Sequence, residues 1–159
     1  MSGTRDVRDS GGFLEAANLL VDFNREYDDP APEPEWLAAH LNRLVTSGDT
    51  GVLTFSAPAI GVAVVRFRTG TWSADIEAHL AEFYIQPAHR GKGYGTTFLD
   101  DVIDHARARG ATYIDLSTSE DDEAARHVYE KRGFDCHEGR GKGPKALYYE
   151  LELESGGVA

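Results

Sequence analysis

The chain has 159 residues, which is the usual length of one domain and long enough to bury a core of its own. Acidic residues outnumber basic ones by 27 to 16, so the formal net charge is −11. A surface this negative repels nucleic acid and anionic membranes, so we predict no partner of either kind and favour a cationic ligand such as an amine.

Two helices are predicted at the start of the chain. Apolar residues recur at helical spacing from Phe13 to Phe23, and the pattern stops at the Asp28-Asp29-Pro30 sequence. Pro34 lies just inside a second helical pattern, which ends before Gly48. We treat residues 10–48 as the helical first part of a single domain that covers 1–159.

Alternating apolar residues then predict three strands with short connections, which favour antiparallel pairing. These are Gly51 to Phe55, Ile60 to Phe67 and His79 to Ile85. On the last one, Ala81, Phe83 and Ile85 are expected on one face, with Glu82 and Tyr84 on the other.

The second half of the chain alternates between helix and strand patterns. The predicted elements are a helix from Gly93 to Arg109, a strand from Thr112 to Leu116, a helix from Asp121 to Arg132, and strands near Phe134 and from Ala146 to Leu153. The fold class is therefore α/β, with a mixed, mostly antiparallel sheet flanked by helices.

A glycine-rich loop connects the third predicted strand to the helix that begins near Gly93. It reads Arg90-Gly91-Lys92-Gly93-Tyr94-Gly95-Thr96. Unpaired amides and a partial positive charge at a helix N-terminus attract phosphate groups, and Arg90 and Lys92 would add mobile positive charge. We expect a pyrophosphate site here.

Two common phosphate-binding motifs do not fit this loop. A Walker A loop requires Lys after its last glycine, whereas Tyr94 follows Gly93. A Rossmann fingerprint requires G-x-G-x-x-G, whereas Gly95 comes one residue too early. The spacing of Arg90, Gly93 and Gly95 does fit R-x-x-G-x-G.

A second motif follows the next predicted strand. Ala125, Tyr129, Glu130, Lys131, Gly133 and Phe134 fit the pattern A-x-x-x-Y-E-K-x-G-F. With both motifs in this order, the chain resembles the GNAT superfamily of N-acetyltransferases from about Gly51 to Leu153. The resemblance implies a three-layer fold with a V-shaped opening between the fourth and fifth strands. It also implies acetyl-CoA as the donor and direct transfer of the acetyl group to an amine.

The resemblance assigns binding roles to particular residues. The amides of Arg90, Gly91, Lys92, Gly93, Tyr94, Gly95 and Thr96 would hold the CoA pyrophosphate, and the backbone of Phe83, Tyr84 and Ile85 would pair with the pantetheine arm. Residues 51–153 would form the CoA-binding core, with residues 10–48 on the acceptor side. Asp122 stands where the family often has Asn, so it either contacts CoA or caps the following helix.

The resemblance also suggests two catalytic residues. Tyr129 matches the general acid that protonates the departing thiolate, although it would otherwise be taken as a core tyrosine. Glu82 lies where many members place the base that deprotonates the amine, although it could be an ordinary strand carboxylate. Asp75, Glu77 and Glu120 remain rival bases.

Other features indicate what the chain lacks. The six histidines form no metal-binding pair, so we predict no metal. Cys136 is the single cysteine, which excludes an internal disulfide, and we do not make it a nucleophile. The polar start, without a signal-like apolar stretch, predicts a cytoplasmic protein. Residues 139–145 read as a solvated hairpin loop.

The predicted function is an acetyl-CoA-dependent N-acetyltransferase with a small-molecule amine as acceptor. Acidic residues between the two first helices favour a small cationic amine: Asp28, Asp29, Glu33 and Glu35. Two alternatives stay open, a non-catalytic acyl-CoA-binding or sensing module and a protein N-terminal or lysine acetyltransferase. A homodimer is also left open.

Overall fold

The computed structural model describes residues 3–154, which fall into two compact units that divide after Leu116. The first unit contains a five-stranded sheet and three helices. Its strands are β1 (Thr4–Asp6), β2 (Thr50–Phe55), β3 (Gly61–Thr69), β4 (Ile76–Ile85) and β5 (Ala111–Asp115), and its helices are α1 (Ser10–Glu26), α2 (Pro34–Thr46) and α3 (Tyr94–Ala108). No helix between residues 3 and 154 has the length and apolar composition of a membrane span.

The sheet runs in the order β1-β2-β3-β4-β5. The first four strands pair antiparallel, and β5 joins β4 in parallel. The mixed, mostly antiparallel sheet is thereby confirmed. The sequence did not predict β1, because three polar residues show no alternation, and it started β4 three residues late at His79.

The helices of this unit cover both faces of the sheet. Asp9 caps α1 by accepting a hydrogen bond from the Gly12 amide, and the apolar face of α1 packs with α2 against Val62 and Val64. On the opposite face, the ring of Phe98 in α3 lies 5.3 Å from that of Phe55. Burial of each such large side chain contributes about 1.5–3 kcal/mol, so both layers stabilise the sheet.

An irregularity in the pairing of β3 and β4 changes which side chains share a face. Val64 pairs with Glu82 while Val65 pairs with Leu80, so Ala81 is an extra residue. Ala81 packs against the cluster beneath α1 and α2, whereas Phe83 stacks on Phe98. The expectation that Ala81 shares a face with Phe83 is therefore wrong, because a bulge interrupts the alternation.

The second unit contains α4 (Glu123–Lys131) and a tight turn at Glu138–Gly141. A single antiparallel bridge between His137 and Lys145 closes the segment around this turn. This agrees with a short hairpin loop at residues 139–145, whose residues are mostly exposed.

The two last predicted strands are not present in the structure. Phe134 instead completes the end of α4: its amide donates to the Tyr129 carbonyl and the Gly133 amide donates to Glu130, which is a Schellman cap. Residues 146–154 form no strand. The large apolar residues of this segment are exposed, from 70% for Leu147 to 84% for Tyr149. Alternation favours a strand only where a sheet edge pairs with it, and no strand of residues 3–154 pairs with this segment.

Candidate functional site

The glycine-rich loop lies where the sequence placed it, between a strand and a helix N-terminus. After β4 ends at Ile85, one 3₁₀ turn at Pro87–His89 leads to Gly93, which caps α3. Gly91 and Gly93 have φ angles of 75° and 83°, in the left-handed region that favours glycine. The two glycines therefore set the path by which the chain enters the helix.

The amides of this loop are available to a ligand. No acceptor within residues 3–154 receives a hydrogen bond from the amides of residues 91–96. These amides stand at the positive end of the α3 dipole, and the side chain of Lys92 is exposed beside them. The arrangement has the properties of an anion-binding site.

Arg90 is held in place rather than mobile, contrary to the expectation. Its guanidinium forms two 2.9 Å contacts with the carboxylate of Glu26 at the end of α1, and its Nε donates to the Ile85 carbonyl at 2.9 Å. The hydrogen bond from Arg90 to Glu26 is the main reason that the pKa of Arg90 is raised. The Arg90 amide also donates to Pro87. Its side chain thus ties the loop to α1 and β4.

Strand β4 extends beyond its pairing with β5. The β4–β5 register ends at the pair His79 and Asp115, whereas β4 continues to Ile85 along β3. Phe83, Tyr84 and Ile85 therefore lie on a part of β4 that β5 does not accompany. This is the place where the family resemblance implies a V-shaped opening between the fourth and fifth strands.

Glu82 lies on the face of the sheet that carries α1 and α2, together with Tyr84. Its carboxylate keeps contact with solvent, but the protein around it removes part of its hydration and raises its pKa. Arg66 and His79 act in the opposite direction. A carboxylate with a raised pKa is a better proton acceptor than an ordinary surface glutamate.

The rival bases have other environments. Glu77 accepts a 2.9 Å hydrogen bond from Arg68. Glu120 is exposed and lies 3.9 Å from the Lys145 ammonium, within the second unit. Asp75 is exposed in the turn before β4. Of the three, only Glu77 lies on a strand of the sheet, and its carboxylate is engaged by Arg68.

The sequence did not single out a histidine and an aspartate beside Glu82. His79 Nδ1 lies 2.6 Å from Asp115 Oδ1, so the two strands β4 and β5 bring together residues 36 positions apart. No local motif could have revealed this pair. The sequence offered only a histidine on one predicted strand and an aspartate on another, and their pairing depends on the register of β4 and β5.

Tyr129 lies in α4 of the second unit, and Asp122 is the residue immediately before that helix. Burial, with a smaller effect from Asp122, raises the pKa of Tyr129 to about 12, so its hydroxyl is protonated at neutral pH. The side chain of Asp122 accepts a hydrogen bond from the Ala125 amide at 3.1 Å, so it caps α4. The structure shows this capping role, and the CoA contact of Asp122 stays a prediction.

Residues 3–154 include one group with metal-ligating side chains close together: Asp135, Cys136 and His137, all exposed. The 2.9 Å hydrogen bond between Asp135 and His137 helps to lower the pKa of Asp135, after the hydrogen bond from the His137 amide. These three consecutive residues contain one histidine and therefore no histidine pair, and the absence of a metal stays a prediction.

Known acetyltransferases are similar to this chain in sequence and in fold. Residues 14–134 match the model of the acetyltransferase (GNAT) family. A protein from Arthrobacter sp. FB24 that is assigned as an acetyltransferase has a crystal structure that superposes with a TM-score of 0.84. It is 33% identical, and the match covers 96% of this chain and 97% of the other. The predicted resemblance and fold class are confirmed.

Two curated proteins are similar over shorter segments. An uncharacterized N-acetyltransferase of Methanocaldococcus jannaschii is 29% identical over 40% of this chain and 30% of its own length. The streptothricin acetyltransferase of Streptomyces lavendulae is 32% identical over 46% of this chain and 37% of its own length. The chain thus matches about a third of the length of these relatives.

Proposed function

Because this chain belongs to the acetyltransferase (GNAT) family of enzymes, we propose that it transfers an acetyl group from acetyl-CoA to a primary amine. The observation that carries the proposal is the row of open amides at the N-terminus of α3, directly after the part of β4 that extends beyond β5. A donor with a pyrophosphate and an amide-bearing arm needs these two features side by side.

The residues present fit acetyl-CoA. The amides of residues 91–96 would hold the pyrophosphate, with Lys92 adding positive charge. The backbone of Phe83, Tyr84 and Ile85 would pair with the amide groups of the pantetheine arm, as an added strand pairs with a sheet edge. The donor supplies an activated thioester carbonyl.

The favoured acceptor is a small cationic amine. Four acidic residues near the junction of α1 and α2 are exposed: Asp28, Asp29 and Glu33 in the connection, and Glu35 in the first turn of α2. Together with the net charge of −11 of the whole chain, these residues would attract an ammonium group and repel nucleic acid or an anionic membrane. The names of the two curated relatives, an N-acetyltransferase and a streptothricin acetyltransferase, also support transfer to nitrogen on a small molecule.

In this proposal Glu82 accepts a proton from the ammonium group, because only a neutral amine has the lone pair that attacks a carbonyl. Tyr129 donates a proton to the leaving sulfur. The amine attacks directly, without an acyl-enzyme on Cys136. A cytoplasmic location belongs to the proposal as well, since a free exposed thiol is typical of a reducing compartment.

Thermal unfolding in the presence of CoA tests the binding step. A ligand that binds only the folded state at 100 times its Kd stabilises that state by about 2.7 kcal/mol, so Tm should rise with CoA concentration. No rise at millimolar CoA would contradict the proposal.

A panel of amines, assayed by thiol release from acetyl-CoA, tests the transfer step. Release with small amines supports the proposed enzyme, whereas release only with peptides indicates a protein acetyltransferase. A rise in Tm with CoA but no release with any amine would indicate the acyl-CoA-sensing alternative.

A further inference from the structure

The bulge in β4 brings a second titratable side chain to the face that carries Glu82. Residues three apart on a regular strand point to opposite faces. Here Glu82 pairs with Val64 and His79 pairs with Arg66, and these two β3 residues are two apart and so share a face. The extra residue Ala81 therefore places His79 and Glu82 on the same side of the sheet.

Asp115 fixes the orientation of the His79 ring. Nδ1 of His79 and Oδ1 of Asp115 are 2.6 Å apart, so a proton on Nδ1 donates to the carboxylate. The other ring nitrogen, Nε2, is then left with a lone pair that can accept a proton. The His79 side chain is 43% exposed, so a ligand on this face can reach the ring.

The pair lies at the point where β4 and β5 part. The His79–Asp115 pair is the last one in the β4–β5 register, immediately before the part of β4 proposed to hold the donor. Other charged or titratable groups on this face of the sheet come from three strands: Arg66 and Arg68 of β3, Glu77, Glu82 and Tyr84 of β4, and Tyr113 of β5. Helix α1 adds Asp22 and Glu26, whose charges act on Tyr84. Arg66 donates to the buried Thr50 hydroxyl at 2.9 Å, and Arg68 pairs with Glu77.

We propose that His79, oriented by Asp115, is a catalytic residue that accepts a proton from the ammonium group of the acceptor. This inference rests on the proposed acetylation of an amine. The ammonium nitrogen carries three protons and the product amide carries one, so two protons must leave as the C–N bond forms and the C–S bond breaks. One of them balances the proton that the departing sulfur gains, and the other passes to water. His79 and Glu82 provide two acceptors on one face.

The test compares His79→Gln and Asp115→Asn with the unchanged chain, using thiol release with spermidine and with kanamycin. Near pH 7, His79→Gln should lower kcat about 100-fold, the size typical of a lost general base. The loss should shrink as the pH approaches about 10, because the amine then arrives neutral and only one proton still has to leave, for which Glu82 is an acceptor. Asp115→Asn should show a smaller loss with the same recovery.

A matched control is His127→Gln, which changes an exposed histidine of α4 and should leave kcat and its pH profile unchanged. The rise in Tm with CoA should be the same in all variants, which shows that they fold and bind the donor. A loss of activity that does not change with pH, or no loss in either variant, would overturn the role of His79 while leaving the proposed function intact. No thiol release by the unchanged chain with either amine would overturn both.

Discussion

Glu82 retains contact with solvent, yet the protein around its carboxylate removes part of the hydration and raises its pKa. The raised pKa has opposite consequences for the stability of the fold and for activity. Because the folded state favours the protonated carboxyl, its stabilising effect is present below the ordinary glutamate pKa. The effect is lost as the pH rises through the raised value. At neutral pH the charged form is therefore the less favourable one for folding.

Glu82→Gln should accordingly have a Tm at pH 7 equal to or above that of the unchanged chain, while kcat/KM for amine acetylation falls. The two are measured by thermal unfolding and by thiol release. A lower Tm at pH 7 would show that the carboxylate has a structural partner and that its burial is not unfavourable.

Tyr129→Phe tests the proton donor. A pKa of about 12 keeps the phenol protonated, so its ionisation should not reduce activity below about pH 10. Removal of the hydroxyl should lower kcat about 100-fold and leave the Tm rise with CoA unchanged. If CoA no longer raises Tm, the hydroxyl serves binding or folding instead of proton transfer.

Sequence reasoning placed the candidate residues that belong to local motifs on the elements where the structure has them. The loop at Gly91 and Gly93 and the position of Tyr129 in α4 could be read from spacing, because each depends on neighbours within one segment. His79 and Asp115 could not, because they meet only through the register of a parallel strand pair and a bulge. Long-range pairing of this kind leaves no periodic signal in the chain.

At the scale of elements, the entry into α3 depends on the backbone of Gly93. Its φ of 83° would cost another residue about 1–2 kcal/mol, whereas an added Cβ would meet no atom within 4 Å. The free energy of unfolding of Gly93→Ala should therefore be lower by about 1 kcal/mol because of backbone strain alone. The variant should also bind CoA more weakly, because the N–H groups of the loop change direction.

Gly48→Ala is the matched control for this prediction. Gly48 also has a positive φ, 97°, and open space around it, but it lies between α2 and β2. This variant should show a similar loss of stability by denaturant unfolding and an unchanged affinity for CoA. Equal losses of affinity in both variants would mean that the effect comes from global destabilisation.

The helices were more predictable than the strands for a physical reason. A helix closes its hydrogen bonds within its own segment, so the patterns ending at Asp28 and beginning at Pro34 placed α1 and α2 closely. A strand depends on a partner elsewhere. The pattern from Ala146 to Leu153 alternates as a strand does, yet this segment has no ladder partner among the described residues. Gly133 and Phe134 were read as a motif that leads into a strand, and they form the cap of α4.

For the molecule as a whole, the net charge of −11 predicts how catalysis responds to salt. A negative field concentrates cationic substrates near the surface, and salt screens this field beyond about 8 Å at physiological ionic strength. For spermidine or kanamycin, kcat/KM should therefore fall as NaCl rises from about 0.01 M to about 0.5 M, where the Debye length decreases several-fold.

The four acidic residues in the connection after α1 and in the first turn of α2 provide the local test of that field. Replacing Asp28, Asp29, Glu33 and Glu35 by their amides should reduce kcat/KM at low salt and flatten its salt dependence, with little change in kcat. The matching control replaces Asp104, Glu123 and Glu152, which are exposed acidic residues in other parts of the chain. Both sets of variants could flatten the salt dependence of kcat/KM by the same amount for each charge removed. In that case the total charge steers the acceptor, and the segment from residue 28 to residue 35 has no special role. A preference for uncharged peptide amines, or rates that do not change with salt, would contradict a cationic acceptor.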